Sequence, residues 1–116
     1  MNDESDALKI SITTRDDDQI VRVTGEVDLH TSPCLRSHLL RLIENAPARL
    51  VIDLTDVGHM DSSGVGTMVE AKRLLERRGG KVVLAGMQQR VKSVFEITQL
   101  DKFFTIVASV EEAREL

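Results

Sequence analysis

Two adjacent serines, Ser62 and Ser63, are the residues in this sequence whose position is best suited to chemistry. They follow Asp61 and precede Gly64, where an apolar run gives way to a helical pattern. Hydroxyl side chains commonly cap helices, and the free N–H groups of a helix N-terminus favour negative charge. The sequence therefore predicts that Ser62 and Ser63 are N-cap residues, displayed at an exposed junction between a strand and a helix.

Other motifs give weaker signals for nucleotide, hydrolase or zinc chemistry. The segment Gly64-Val-Gly66 has valine at position 69 where a dinucleotide fingerprint has its third glycine, and no phosphate-loop lysine follows it. Neither serine has the flanking glycines of a nucleophile elbow. His30, Cys34 and His38 have helical spacing, but Pro33 is expected to leave His30 outside the helix, which disfavours a zinc site.

Asp53 raises the possibility of a phosphoaspartate receiver. It interrupts the apolar run 49–54, and Met60-Asp61 follows it. A receiver opens with a parallel strand that ends in paired acids, whereas this chain opens with an alternating pattern, and the segment 105–108 lacks the late lysine. Asp53 is more simply explained as a solvated or hydrogen-bonded residue at a strand end.

The elements that position these residues alternate between strands and helices. Residues 8–12 and 20–24 alternate apolar and polar side chains around a turn at 15–18, which predicts an antiparallel hairpin. Ser32 before Pro33 predicts an N-cap, and the helix that follows is expected to stop near Asn45 because Pro47 cannot continue it. The apolar run 49–54 predicts a strand buried on both faces, followed by a polar turn.

The second half continues the same alternation. Gly79-Gly80 ends the second helix, and 81–85 reads as another buried strand, so the connection is parallel. A third helix near 91–95, a small strand at 104–107 and a last helix capped by Ser109 complete the pattern. The three phenylalanines are expected to pack between the third helix and the last strand. The predicted fold class is α/β, a mixed sheet covered by about four amphipathic helices.

Length and composition indicate one domain. The 116 residues suit a single core over residues 8–116, preceded by an acidic flexible tail at 1–7. A lone cysteine and the absence of a targeting or membrane-spanning segment favour a soluble cytoplasmic protein. A net charge of −4 argues against nucleic acid as a direct partner.

Four segments in the right order resemble the STAS-domain anti-sigma factor antagonists. They are Met60–Gly66, Gly25–Asp28, Gly79–Lys81 and Val94–Asp101, and the resemblance runs from about residue 8 to about residue 112. It implies a single STAS-type domain without catalytic activity, cofactor or metal.

The resemblance assigns a phosphorylation switch to Ser62. In that family the hydroxyl residue after the motif aspartate accepts phosphate from a serine kinase that is also the anti-sigma factor. The unphosphorylated antagonist captures this partner and frees the sigma factor, phosphorylation blocks capture, and a metal-dependent phosphatase restores it. The partner-binding residues implied around Ser62 are Asp28, His30, Thr31, Asp61, Ser63 and Gly64.

Several alternatives stay open at the level of sequence. The chain could be a STAS adaptor for a non-sigma client such as a transporter subunit or another signalling protein, or a nucleotide-binding module using Gly64-Val-Gly66. A monomer or a weak dimer is expected, since charged residues on the opening hairpin oppose uncontrolled edge pairing. His59 could titrate near the switch or simply lie in a loop. Cys34 is expected to be a small apolar residue of the structure.

Overall fold

A mixed five-stranded sheet with four helices forms the part of the chain that the structure describes. The structure is a computed structural model and describes residues 8–116. The predicted tail at 1–7 lies outside these residues. The elements are β1 (Leu8–Arg15), β2 (Asp18–Val27), α1 (Ser32–Glu44), β3 (Arg49–Met60), α2 (Ser62–Glu76), β4 (Lys81–Ala85), α3 (Gln89–Ile97), β5 (Thr105–Val107) and α4 (Val110–Arg114).

The strands lie in sequence order across the sheet. β1 pairs with β2 antiparallel, and β2, β3, β4 and β5 are parallel neighbours. The hairpin turns at residues 16–17, where Asp16 has a positive φ of 55°, a conformation that aspartate tolerates better than most residues. The predicted mixed sheet is confirmed. A short hairpin turn specifies antiparallel pairing, and a helix between two strands allows parallel pairing.

Central strand β3 is buried on both faces, as predicted. Leu50, Ile52 and Leu54 point into the larger core, which α1, α2 and α3 cover. Val51 points to the opposite face and packs with Ala113 of α4 in a smaller cluster. Strand side chains alternate between faces, so a continuous apolar run is what a strand with helices on both sides requires.

The polar segment after this run is part of β3, which corrects the predicted turn. Residues 55–60 continue the strand and pair with β2 as far as Val27 opposite Met60. Gly25 pairs with Val57 and Glu26 with His59, so Gly58 is an extra residue in the ladder. His59 is therefore exposed on a strand and does not lie in a loop.

Helix α1 begins one residue earlier than predicted. Its N-cap is Thr31, and Ser32 is the first helical residue, so the expected cap at Ser32 is wrong. The Thr31 hydroxyl donates to the Glu26 carbonyl at 2.7 Å, and this contact with β2 uses the group that would otherwise cap the helix. The helix ends at Glu44 as expected, two residues before Ala46 and three before Pro47.

The last quarter of the chain packs as predicted. The Phe95 and Phe104 rings meet edge to face with centroids 5.3 Å apart, and Phe103 meets Phe104 in the same way at 5.2 Å. The Ser109 hydroxyl accepts the Glu112 N–H at 3.2 Å and caps α4. None of the helices within residues 8–116 has the length and apolar character needed to cross a membrane.

Candidate functional site

The carboxyl ends of β2 and β3 meet at one edge of the sheet and bring two separated motifs together. Val27 pairs with Met60 at the end of both strands, and the Asp61 N–H donates to the Val27 carbonyl at 3.1 Å. Asp28 and Asp61 follow directly on these strands. Parallel pairing thus places the loop that begins at Asp28 at the same sheet edge as the first turn of α2. The predicted partner-binding residues come from these two segments.

Asp61 caps α2, and this corrects the predicted capping by Ser62 and Ser63. One carboxylate oxygen, Oδ1, accepts the Ser63 N–H at 2.9 Å and the Gly64 N–H at 3.4 Å. The Ser63 hydroxyl donates to the same oxygen at 2.5 Å. Ser62 and Ser63 are therefore the first two residues of the helix, and the aspartate before them is the N-cap.

The Asp61 carboxylate is held in its charged form. Its pKa is lowered from the ordinary aspartate value chiefly by the hydrogen bond from the Ser63 hydroxyl, against the raising effect of partial burial. The backbone N–H groups of Ser63, Gly64 and Leu29 lower it further. Leu29 belongs to the loop after β2, so this loop also contributes to the lowered pKa of Asp61.

Ser62 is exposed at the first position of α2, and its hydroxyl makes no hydrogen bond to any other residue between 8 and 116. The hydroxyl is therefore accessible and is not needed to hold the local structure. A helix N-terminus tolerates added negative charge, because its free N–H groups carry partial positive charge. The geometry suits an acceptor of a phosphoryl group.

Gly64 is required by close packing at the start of α2. A Cβ atom on this residue would lie 2.6 Å from Met60 Cγ and 2.8 Å from Val27 Cγ1, closer than carbon atoms approach. The helix therefore presses directly on the ends of β2 and β3. Gly64 is buried. Close packing therefore explains why glycine occupies this position, and no role in binding phosphate is needed to account for it.

The loop after β2 is a tight turn organised by Asp28. Its carboxylate Oδ1 accepts the His30 N–H at 2.9 Å and the Thr31 N–H at 3.1 Å. His30 is exposed, whereas Thr31 is only 4% exposed and its hydroxyl bonds to Glu26. His30 can thus meet a partner directly, and Thr31 can act by holding the loop in shape; both assignments stay predictions.

The other side chains considered for chemistry have structural partners. Asp53 is 8% exposed and lies inside β3, so its predicted place at a strand end is wrong, although the predicted hydrogen bonding is present. It accepts the N–H of Thr55 at 3.1 Å and its hydroxyl at 2.5 Å. His38 Nδ1 lies 2.9 Å from the Cys34 carbonyl oxygen. Within residues 8–116, His, Cys, Asp and Glu side chains form no group of three or more that could hold a metal ion.

Leu29 is the residue of this site that the sequence patterns did not single out. It lies between Asp28 and His30, and 71% of its surface is exposed. Helical and strand periodicity cannot assign a role to a residue in a loop. The available signal was a large apolar side chain inside an otherwise polar turn.

Comparison with known protein families agrees with this geometry. Residues 9–113 match the family model of the STAS domain, and this match covers most of the chain. The chain belongs to the STAS domain family. The resemblance inferred from four short segments is thereby confirmed, and so is the fold class, a single mixed α/β domain.

Relatives of this STAS chain include anti-sigma factor antagonists. The anti-sigma-B factor antagonist of Bacillus subtilis is 33% identical over 104 residues, which cover 90% of this chain and 94% of that protein. Among solved structures, unphosphorylated SpoIIAA, an anti-sigma factor antagonist, matches with a TM-score of 0.78 and 28% identity, covering 94% of each chain. The phosphorylated form of Bacillus SpoIIAA matches with a TM-score of 0.71 and 25% identity, covering 94% and 97%.

Proposed function

We propose that this STAS chain is an anti-sigma factor antagonist that acts by partner switching at Ser62. In its unphosphorylated form it binds an anti-sigma factor that is also a serine kinase, and this binding releases a sigma factor. Phosphorylation of Ser62 by the bound kinase blocks further binding, and a metal-dependent serine phosphatase reverses it. The chain itself is a regulatory substrate and performs no catalysis.

The observation that carries this proposal is the environment of the Ser62 hydroxyl. It is exposed, unbonded within the described chain and located at the first position of a helix whose cap is provided by the preceding Asp61. A kinase can therefore reach the hydroxyl without disturbing the fold. Ser63 differs, since its hydroxyl donates to Asp61 and takes part in capping.

The relatives support the same function. The B. subtilis relative is named an anti-sigma-B factor antagonist, and SpoIIAA is described in unphosphorylated and phosphorylated forms. Both forms of SpoIIAA match this chain over 94% of its length. A switch that leaves the domain fold intact fits these similarities.

Phosphorylation is proposed to act at the interface and not by remodelling the domain. A phosphate brings about −1.5 to −2 charges and three acceptor oxygens. On Ser62 the phosphate would add its charge to those of Asp61 and Asp28. This negative cluster would repel acidic groups of the partner and oppose binding. A loss of about 2.8 kcal/mol is enough to weaken binding about a hundredfold.

The test uses the serine-kinase anti-sigma factors of the same organism, each incubated with this chain, ATP and magnesium. Intact-mass and peptide mass spectrometry locate the phosphate, and calorimetry compares kinase binding before and after modification. We expect one phosphate on Ser62, absent in Ser62→Ala, and binding weakened about a hundredfold in the phosphorylated protein.

Ser63→Ala is the matched control, because it removes the neighbouring hydroxyl and leaves Ser62 in place. We expect this variant to be phosphorylated, with only a modest loss of helix stability. If no kinase binds the chain or modifies Ser62, the sigma-control function is wrong and an adaptor for another client replaces it. Residence in the cytoplasm, and a monomeric or weakly dimeric state, stay predictions.

A further inference from the structure

A large apolar side chain is exposed on the loop after β2, at the sheet edge where α2 begins. Leu29 is 71% exposed at the tip of the turn between β2 and α1. It lies two residues after Val27, whose carbonyl accepts the N–H of Asp61 at 3.1 Å, and Asp61 directly precedes Ser62. The other large apolar side chains that are exposed within residues 8–116 lie outside this loop.

The turn that carries Leu29 is held on both sides. The Asp28 carboxylate accepts the N–H groups of His30 and Thr31, and the Asp28 carbonyl accepts the Ser32 N–H at 2.8 Å. The buried Thr31 hydroxyl bonds to the Glu26 carbonyl and accepts the Asp28 N–H at 2.9 Å. A partner that covers Leu29 therefore has little backbone ordering to offset.

The fold of this domain does not use the Leu29 side chain. The neighbouring apolar residues, Val27 and Leu35, are fully buried in the core, whereas Leu29 points to solvent. Binding energy at protein interfaces is concentrated in a few apolar or aromatic residues near the centre, surrounded by polar groups. Here the surrounding groups are the exposed His30 and Ser62 and the partly buried Asp28.

We propose that Leu29 is an apolar anchor for the serine-kinase anti-sigma factor, inserting into an apolar pocket beside the kinase cleft that receives Ser62. This inference rests on the proposed function and adds a binding residue to it. Because the Asp61 N–H bonds to Val27 at the end of β2, the loop that carries Leu29 and the helix start that carries Ser62 follow from paired strand ends, and seating the leucine would bring the hydroxyl to the kinase.

The anchor also gives phosphorylation a physical means of weakening binding. A phosphate on Ser62 carries a strongly held hydration shell, and burying Leu29 would draw that charge into a poorly hydrated interface. The charge on Ser62 thus opposes burial of Leu29, and the apolar contact is lost when Ser62 is phosphorylated. The mechanism requires no movement within the domain.

The test compares Leu29→Asn with Ile97→Ala. Asparagine keeps a similar size and suits a turn, but removes the apolar character. Ile97 is 81% exposed at the end of α3. Because β4 and β5 are parallel, α3 must run back from the carboxyl edge of the sheet, and its end points away from the edge where α2 begins. Calorimetry measures binding of each full-length variant to the kinase, and steady-state assays measure KM and kcat for Ser62 phosphorylation.

We expect Leu29→Asn to weaken binding at least tenfold and to raise KM by a similar factor, with kcat and the melting temperature close to wild type. Ile97→Ala is expected to match wild type in all four measurements. The anchor is refuted if Leu29→Asn binds normally while phosphorylation of Ser62 still abolishes binding. If wild-type protein neither binds a kinase nor accepts phosphate, the proposed function fails, and the anchor with it.

Discussion

The Asp61 carboxylate lies 2.9 Å from the backbone nitrogen of Ser63 and 2.5 Å from its hydroxyl oxygen. This pair closes the first turn of α2 around Ser62 without using the Ser62 hydroxyl. Capping is thus performed by Asp61 with Ser63, and the hydroxyl of Ser62, the proposed phosphoacceptor, takes no part in it. A modification of Ser62 can change the surface while the helix start stays intact.

Removing the cap should destabilise the domain. Asp61→Ala loses the acceptor for two backbone N–H groups and for the Ser63 hydroxyl, so we expect the free energy of unfolding to fall by about 1–2 kcal/mol. Asp61→Asn is the matched control, because asparagine keeps a capping oxygen and removes the charge; at neutral pH we expect it to be less stable than wild type but more stable than Asp61→Ala. Urea denaturation measures both; equal stability of wild type and Asp61→Ala would contradict the capping role.

The stability contributed by the Asp61 charge should be lost in acid. The pKa of Asp61 is lower in the folded protein than in the unfolded chain, so the folded state favours the ionised form. This contribution is fully present above the unfolded aspartate pKa of about 3.9, and is lost as the pH falls through the lower folded pKa. Glu70, whose pKa is lowered by its hydrogen bonds from Arg36, adds to the same loss.

Asp61→Asn isolates the part due to Asp61. Its unfolding free energy should fall less steeply than that of wild type as the pH drops from about 5 towards 2. Denaturant unfolding at several pH values measures both curves. Parallel curves throughout this range would show that Asp61 ionisation is not linked to folding.

Phosphorylation of Ser62 should leave α2 folded. The helix N-terminus attracts the negative phosphate, whereas the Asp61 carboxylate repels it. We therefore expect a net change in unfolding free energy of less than about 1 kcal/mol. Far-UV circular dichroism and amide hydrogen exchange over residues 62–76 measure the helix before and after modification. Faster exchange throughout α2 would contradict a switch that acts only at the surface.

Two glycines of α2 should respond to alanine in opposite directions. Gly64→Ala places a Cβ atom 2.6 Å from Met60 Cγ, and we expect overpacking to lower the unfolding free energy by about 1–3 kcal/mol. At Gly66 an added Cβ meets nothing within 4 Å, and alanine should stabilise the helix by about 0.5–1 kcal/mol. Thermal and chemical denaturation of the two variants measure the contrast.

Gly66→Ala also reports on the surface of α2. Gly66 is exposed, one turn after Ser62, so the proposed partner would pass close to it. A variant that is more stable yet binds the kinase more weakly would indicate that the partner needs the bare backbone there. A stable variant with unchanged binding would place the interface away from this turn.

The sequence was sufficient for most of the elements, because their signals are local. Alternation across residues 8–12 and 20–24 specified the hairpin. Gly79-Gly80 marked the end of α2, and Ser109 marked the cap of α4. Each signal depends on backbone preferences within a few residues. The family resemblance depended on four such short segments, including the one around Asp61 and Ser62, in the right order along the chain.

The errors fell where local preferences are equal or misleading. Asp61, Ser62 and Ser63 are all good caps, so propensity could not choose among them. The extension of β3 to Met60 made the choice, because it places Asp61 directly at the end of the strand, where its N–H bonds to Val27. Polar residues after Leu54 hid that extension, which depends on pairing with β2.

By itself, then, the sequence determined the order of strands and helices, the strand buried on both faces and the pair of hydroxyl residues at a helix start. The tertiary structure decided that the ends of β2 and β3 pair, which puts Asp28 and Asp61, more than thirty residues apart, at one edge of the sheet, and that Leu29 is exposed on the loop there. Periodicity and capping act over a single turn of chain. The site depends instead on the parallel register of β2 with β3, a non-local pairing that residue patterns do not encode.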